Sequence, residues 1–187
     1  YNITVGIYDL TLTRGGGLDD GESRYYGVNV SGPESEVTVG RVWIHDFNTH
    51  QGSILNRDGE LWVYDTVLSD NRSTDTVFSS GHNGGVWAQS AEVTLDTVTL
   101  VGNYSENAGG GVAAVGTADL KIYNGTIVGN DVGQSGGGGV YCSPDATCAI
   151  HNSIVAGNTI VEGTPSAQFA DIYDQRVTQF DLEGSPA

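Results

Sequence analysis

The feature that most constrains the fold is an internal repeat. Residues 109–130, GGGVAAVGTADLKIYNGTIVGN, align without a gap to residues 137–158, GGGVYCSPDATCAIHNSIVAGN. Counting back from the final Asn of each copy, aliphatic residues stand ten, eight and three positions upstream, with a single Cys among them. The same frame runs along most of the chain, in units that end at residues 15, 47, 71, 103, 130 and 158. Short repeats of this kind predict a stack of similar units.

Each unit is predicted to contain three short β-strands. A small residue followed by an aliphatic one precedes every framed strand except the first, at Gly27-Val28, Ser53-Ile54, Gly85-Val86, Gly111-Val112 and Gly139-Val140. The segments alternate apolar and polar residues and are separated by Gly, Asn, Asp and Ser, which favour turns, and none has useful helical periodicity. One unit cannot bury its own apolar face, so we expect stacked coils whose equivalent strands pair about 4.8 Å apart.

The recurring Asn is expected at a corner of each coil. Asn tolerates a tight turn there, and its side-chain amide can bond to the next Asn along the stack. We expect residues 1–187 to form a single domain with coils over about 3–158. The pattern breaks after Asn158, so residues 159–187 are predicted to form an irregular final coil or cap, or a truncated seventh coil.

The charge of the chain is strongly acidic. Asp and Glu number 23 against 7 Lys and Arg, which gives a formal net charge of −16 and argues against a nucleic-acid partner. The composition fits cation binding, adaptation to high salt, or an ordinary acidic secreted protein. No apolar run approaches the roughly 20 residues of a membrane span. The chain starts at Tyr1 and contains no Met, so we expect a mature or excised domain of a larger parent protein.

The repeat motifs resemble a known class of proteins. Gly110-Gly111-Val112 with Ile127-Val-Gly-Asn130 is similar to the Gly-Gly-aliphatic and Phe-x-x-Asn motifs of repeats related to chlamydial polymorphic outer membrane proteins, with Ile, Leu or Val replacing Phe. These belong among the right-handed parallel β-helix proteins of the pectate-lyase-like superfamily. The resemblance implies an all-β, right-handed, single-stranded parallel β-helix of about six coils. That superfamily includes adhesins, autotransporter passengers, polysaccharide lyases and hydrolases, so the resemblance leaves the activity open.

The strand before each corner offers a candidate binding face. Its outward positions in the third to sixth coils include Trp62, Tyr64, Thr94, Asp96, Lys121, Tyr123 and His151. Aromatic rings stack on sugar rings and polar groups bind hydroxyls, so this flat face predicts a polysaccharide platform. The competing interpretation is that Tyr and Trp are simply good strand formers. A second outward column, Asn29, Leu55, Trp87, Ala113 and Tyr141, is interpreted as structural.

Three classes of function remain open. We expect a non-catalytic, extracellular or cell-surface module that binds a polysaccharide or another surface, and the alternatives are a polysaccharide lyase or glycoside hydrolase and a plain spacer. A lyase needs a basic residue near an acid, which makes Lys121 and Asp96 the candidate catalytic pair. Asp65 and Asp70 occupy corner positions and are interpreted as turn residues rather than as a hydrolase dyad.

Two further features concern ions and redox state. Asp19, Asp20 and Glu22 could hold Ca²⁺, but they match neither the EF-hand loop nor the Gly-rich nonapeptide of calcium-binding β-rolls, and we prefer a solvated acidic loop with no cofactor. Cys142 and Cys148 align with inward positions on either side of one turn. Buried thiols are an alternative, but we expect a disulfide, which would fit an oxidising compartment.

Overall fold

The chain folds into a parallel β-solenoid. The computed structural model describes residues 3–13, 26–49, 51–73, 83–134, 136–161 and 170–174. These residues contain strands and turns without a helix, and all their strand pairs are parallel, which confirms the predicted all-β class and stacked coils. No helix long and apolar enough to cross a membrane occurs in the part of the chain that the structure describes.

Four sheets run along the stack, and successive coils add one short strand to each. Sheet 1 contains Ile3–Tyr8, Ser35–Gly40, Glu60–Tyr64, Glu92–Asp96, Asp119–Tyr123 and Thr147–His151. Sheet 2 contains Thr11–Thr13, Trp43–His45, Val67–Ser69, Thr99–Val101, Thr126–Val128 and Ile154–Ala156. Sheet 3 contains Asn48–Thr49, Arg72–Ser73, Tyr104–Ser105, Asp131–Val132 and Thr159–Ile160. Sheet 4 contains Val28–Ser31, Ile54–Arg57, Val86–Gln89, Val112–Val115, Val140–Cys142 and Ile172–Asp174.

The number of coils agrees with the repeat. Sheets 1, 2 and 4 have six strands each, so the chain makes about five full turns and a further partial one, close to the six coils predicted. Sheet 3 was not predicted, because its strands are only two residues long and two residues cannot show an alternating pattern. After Asn158 the chain still supplies Thr159–Ile160 to sheet 3 and Ile172–Asp174 to sheet 4.

The inward columns of the solenoid follow the sequence frame. Val93 and Leu95 lie opposite Leu120 and Ile122 in sheet 1, and Leu100 lies opposite Ile127 in sheet 2. Each of these side chains is at most 1% exposed. Burial of apolar side chains against the same position of the next coil is therefore the main stabilising contact between coils.

A buried ladder of amides runs along one corner of the stack. The side-chain amide of each Asn donates to the carbonyl oxygen of the next at 2.9 Å, through Asn71, Asn103, Asn130 and Asn158. Asp171 ends the ladder, since its carboxylate accepts from both the backbone and the side chain of Asn158 at 2.9 Å. The predicted bonding between successive Asn residues is confirmed, and the ladder satisfies polar groups that the corner would otherwise leave unpaired.

A small second core lies on the outer side of sheet 4. Leu55, Trp87 and Ala113 point away from the main core, yet they are almost completely buried. Tyr26, Val115 and Tyr141 pack against them and are partly buried. The three buried members of this column form a structural layer, in agreement with the interpretation from the sequence.

A disulfide joins Cys142 in sheet 4 to Cys148 in sheet 1. It spans the turn between the two strands of one coil, with the Cα atoms 6.4 Å apart, and the predicted pairing is confirmed. In the previous coil Ala114 and Leu120 occupy the two equivalent positions, and both are fully buried. The disulfide therefore replaces an apolar contact of the core with a covalent bond in the last complete coil.

Replacing Asn103 with Ala is expected to lower the free energy of unfolding by about 3 kcal/mol. The change leaves the carbonyl of Leu68 and the backbone N–H of Asn71 without their buried partner. Urea denaturation measures the loss, and Asn48→Ala, at an exposed position of sheet 3, is the control that should cost less than about 0.5 kcal/mol. Equal losses in the two variants would contradict a structural role for the ladder.

Reduction of the disulfide is expected to destabilise the chain by about 2 kcal/mol, because a small closed loop restricts the unfolded state. Contacts in a solenoid are made mainly with neighbouring coils, so amide hydrogen exchange should accelerate mostly within residues 136–161. Mass spectrometry of exchange with and without reductant measures this. Uniformly faster amide exchange along the whole chain, or unchanged exchange, would contradict a local stabilising effect of the disulfide.

Candidate functional site

The outer side of sheet 1 brings the predicted binding residues onto one surface, which we call the aromatic face. It carries Tyr8, Trp62, Tyr64, Thr94, Asp96, Lys121, Tyr123 and His151. In the register of the sheet, Thr94 lies between Trp62 and Lys121, and Asp96 lies between Tyr64 and Tyr123. Every residue that the sequence proposed for ligand binding therefore projects from the same side of the sheet, and its role there stays a prediction.

The aromatic rings form two groups separated by the fourth coil. In the first group the ring of Tyr64 lies 5.2 Å from Trp62 and 6.5 Å from Tyr8, measured between ring centroids. In the second group Tyr123 and His151 stack with centroids 5.2 Å apart and planes inclined by 11°. Trp62 is 47% exposed, which is high for a side chain of its size. The face thus presents large ring surfaces to solvent on a rigid sheet.

Two glycines make room for the tyrosine rings on the sheet. Gly40 is paired with Tyr64, and a Cβ at Gly40 would come within 2.3 Å of the Tyr64 ring. Tyr8 folds back over Gly6 in its own strand, where a Cβ would lie 2.4 Å from the ring. The absence of side chains at these positions therefore allows both rings to approach the backbone, with their planes inclined by 46° to each other.

Asp96 and Lys121 do not form an ion pair. The ammonium group of Lys121 bonds instead to Asp119 in its own strand at 2.8 Å, and this contact raises the pKa of Lys121. Asp96 accepts hydrogen bonds from Asn124 at 3.0 Å and from Thr97 at 3.1 Å. A base must be able to lose its proton, so the pairing with Asp119 makes Lys121 a poorer one.

Arg41 was not among the predicted site residues, and it organises one end of the face. Its guanidinium donates to both carboxylate oxygens of Asp9, at 2.6 and 2.8 Å, and to the hydroxyl of Tyr64 at 3.0 Å. It also lies 5.7 and 5.8 Å from the ring centroids of Tyr8 and Tyr64. The hydrogen bonds from Arg41 hold the pKa of Asp9 below its ordinary value.

A shallow, largely open groove of about 420 Å³ lies at the corner beside Arg41, between sheets 1 and 2. We call it the corner groove, and it is lined by Asp9, Leu10, Thr11, Arg41, Val42, Trp43 and Asp65. Trp43 is 47% exposed, stacks on His45 with centroids 4.0 Å apart and donates its indole N–H to Ser69 at 3.0 Å. The alternation around buried Ile44 could have identified Trp43 as an outward residue, but only the corner geometry places it beside Arg41.

Metal binding has no support among the residues that the structure describes. No group of three or more His, Cys, Asp or Glu side chains that could hold a metal ion occurs among them. The candidate calcium residues Asp19, Asp20 and Glu22 lie outside the described residues. Asp65 and Asp70 have φ values of 45° and 55°, which agrees with their interpretation as turn residues.

The fold defines the class of this chain as a parallel β-solenoid with an exposed aromatic face. Comparison with protein-family models, with curated proteins and with solved structures found no match. The resemblance to the pectate-lyase-like superfamily therefore rests on the repeat motifs and on the solenoid architecture alone.

Replacing Arg41 with Gln is expected to raise the pKa of Asp9 toward its ordinary value of 3.8. In the wild type this pKa is lower in the folded than in the unfolded chain, so the pair stabilises the fold above the unfolded pKa. Its contribution is lost as the pH falls through the folded pKa. An NMR titration of the Asp9 carboxyl carbon measures the shift, with Arg72→Gln as the control. An Asp9 pKa unchanged by Arg41→Gln would contradict the ion pair.

Proposed function

We propose that this chain is a non-catalytic, extracellular or cell-surface module that binds a polysaccharide through the aromatic face. The observation that carries the proposal is the group formed by Tyr8, Trp62 and Tyr64, in which the half-buried Tyr64 ring lies 5.2 Å from the exposed Trp62 and 6.5 Å from the exposed Tyr8. Rings of this kind bind the apolar faces of pyranoses, while their polar edges and neighbours bind hydroxyl groups.

The rigidity of the scaffold supports binding rather than simple strand packing. Trp62 and Tyr64 stand on a strand that is paired on both sides, and Tyr8 stands on a strand that is paired on one side. Arg41 donates a hydrogen bond to Tyr64 and lies over the ring of Tyr8. A preorganised surface loses little side-chain entropy when a ligand binds. Exposed clusters of large apolar groups on a soluble chain commonly mark interaction sites.

The composition supports a location outside the cell. The disulfide between Cys142 and Cys148 is typical of oxidising compartments, and a net charge of −16 disfavours nucleic acid as a partner. The Gly-Gly-aliphatic repeats support a relationship to the pectate-lyase-like superfamily, within a larger parent protein. The partner is then a polysaccharide or another ligand at a cell surface.

The geometry favours binding over catalysis. Lys121 is the candidate base of the lyase alternative, and its bond to Asp119 stabilises the protonated form. One carboxylate oxygen of Asp96 accepts hydrogen bonds from the corner residues Thr97 and Asn124. The bond from Lys121 to Asp119 disfavours Lys121 as a base, so we do not assign a reaction to this face.

Replacing both Trp62 and Tyr64 with Ala is expected to weaken polysaccharide binding about tenfold or more, because the stacking surface is removed. Affinity electrophoresis against a broad panel of polysaccharides measures binding, and the supernatant is assayed for released oligosaccharides. Ile154→Ala, which truncates an exposed apolar side chain in the last coil of sheet 2, should bind like the wild type.

Two results would contradict the proposal. Release of oligosaccharides by the wild type would show that the module is catalytic. Failure of the wild type to bind any polysaccharide, at both low and molar salt, would exclude the sugar platform and leave a spacer or a protein-binding module.

A further inference from the structure

We propose that the corner groove is a subsite for a neutral pyranose unit, so that the ligand of this module is an uncharged polysaccharide rather than a polyuronate. The inference rests on the proposed function and names the chemical class of its ligand. Four residues carry it: Asp9, Arg41 and Asp65 at the corner, and Trp43 at the start of the sheet 2 strand.

The groove has an aromatic wall and adjoins the aromatic face. Trp43 lines it and packs one ring face against His45, which leaves the other ring face available to a ligand. The bond from its indole N–H to Ser69 fixes the orientation of the ring. On the opposite side Arg41 is bonded to Tyr64, which belongs to the aromatic face. A sugar bound in the groove could therefore belong to the same polysaccharide chain as the sugars bound on sheet 1.

The base of the groove offers donors and acceptors in fixed positions. Three of the five N–H groups of Arg41 are used by Asp9 and Tyr64, so two remain to donate. Each carboxylate oxygen of Asp9 keeps a lone pair, because it accepts only one of the bonds from Arg41. Neighbouring donors and acceptors of this kind match the vicinal hydroxyls of a pyranose, which both accept and donate.

The charge of the groove selects against acidic sugars. Asp9 and Asp65 outnumber Arg41, and the charge of Arg41 is already compensated by Asp9. The whole chain carries a net charge of −16, so a polyuronate would be repelled before it reached the site. A neutral sugar meets no such barrier and needs only the hydrogen bonds and the ring surface.

The outer surface of sheet 2 beside the groove lacks acidic and basic side chains. Across the six described strands of this sheet, the outward positions carry no Asp, Glu, Lys or Arg. A neutral polysaccharide that extends from the groove across sheet 2 would not have to displace strongly bound water from charged side chains.

The test compares variants of the groove with a variant of the aromatic face. Trp43→Ala, Arg41→Gln and Trp62→Ala are assayed beside the control Arg72→Gln, whose side chain stacks on Tyr104 on sheet 3. The probes are mixed-linkage β-glucan, galactomannan and xyloglucan as neutral polysaccharides, and polygalacturonate and alginate as acidic ones. Each is measured by affinity electrophoresis with chelator and with added Ca²⁺.

The expected result is binding to at least one neutral probe and to neither acidic probe under both conditions. Trp43→Ala and Arg41→Gln should each weaken the neutral binding about tenfold, and Arg72→Gln should leave it unchanged. Neutral binding that is lost in Trp62→Ala but kept in both groove variants would overturn the subsite and leave the proposed function intact. Binding only to the acidic probes would overturn the neutral class while keeping the platform. Absence of all binding would overturn both.

Discussion

The structure depends on parallel pairing between successive coils in a constant register. A single coil has no partner for most of its backbone N–H and C=O groups, so it becomes stable only when the next coil supplies them. Constant register brings Leu95 over Ile122 and Leu100 over Ile127, and the same register brings each ladder Asn within reach of the next. Hydrogen bonding and apolar burial are therefore satisfied together, and a shift of one residue would turn the core columns outward.

The same constraint determines the pattern of the outer surface. Because inward positions must be apolar and corners must turn, variation is left to the outward residues, and these line up in columns across coils. Arg41 bonds to Asp9, 32 residues earlier, and to Tyr64, 23 residues later. Residues distant in sequence thus become neighbours one coil apart. A sheet of this kind suits an extended ligand, which can contact several coils at once.

The sequence predicts features that show strand alternation or flank one turn, and it does not predict features that lack both. Leu100 and Trp62 could be placed inward and outward because alternation within a repeat has only two phases. Cys142 and Cys148 could be paired because they flank one turn. The strands of sheet 3 could not be found, since two residues carry no period. The bond between Arg41 and Asp9 was also out of reach, because it depends on the side-chain directions at a corner rather than on strand alternation.

Arg41 differs in residue type from the residues that occupy the same corner position in the other coils. Asp9, Asp65, Thr97, Asn124 and Asn152 hold this position elsewhere, and all of them, like Arg41, have φ between 45° and 56°. Asp and Asn accept this left-handed conformation because a short polar side chain can bond to nearby backbone, whereas for other residues it costs about 1–2 kcal/mol. Arg gains no such local bond. It instead bonds to Asp9 and Tyr64 across the neighbouring coils, which ties the first three coils together at the edge of the aromatic face. Turn chemistry alone would favour Asn at this corner, and the bonds from Arg41 to Asp9 and Tyr64 compensate for the less favourable residue.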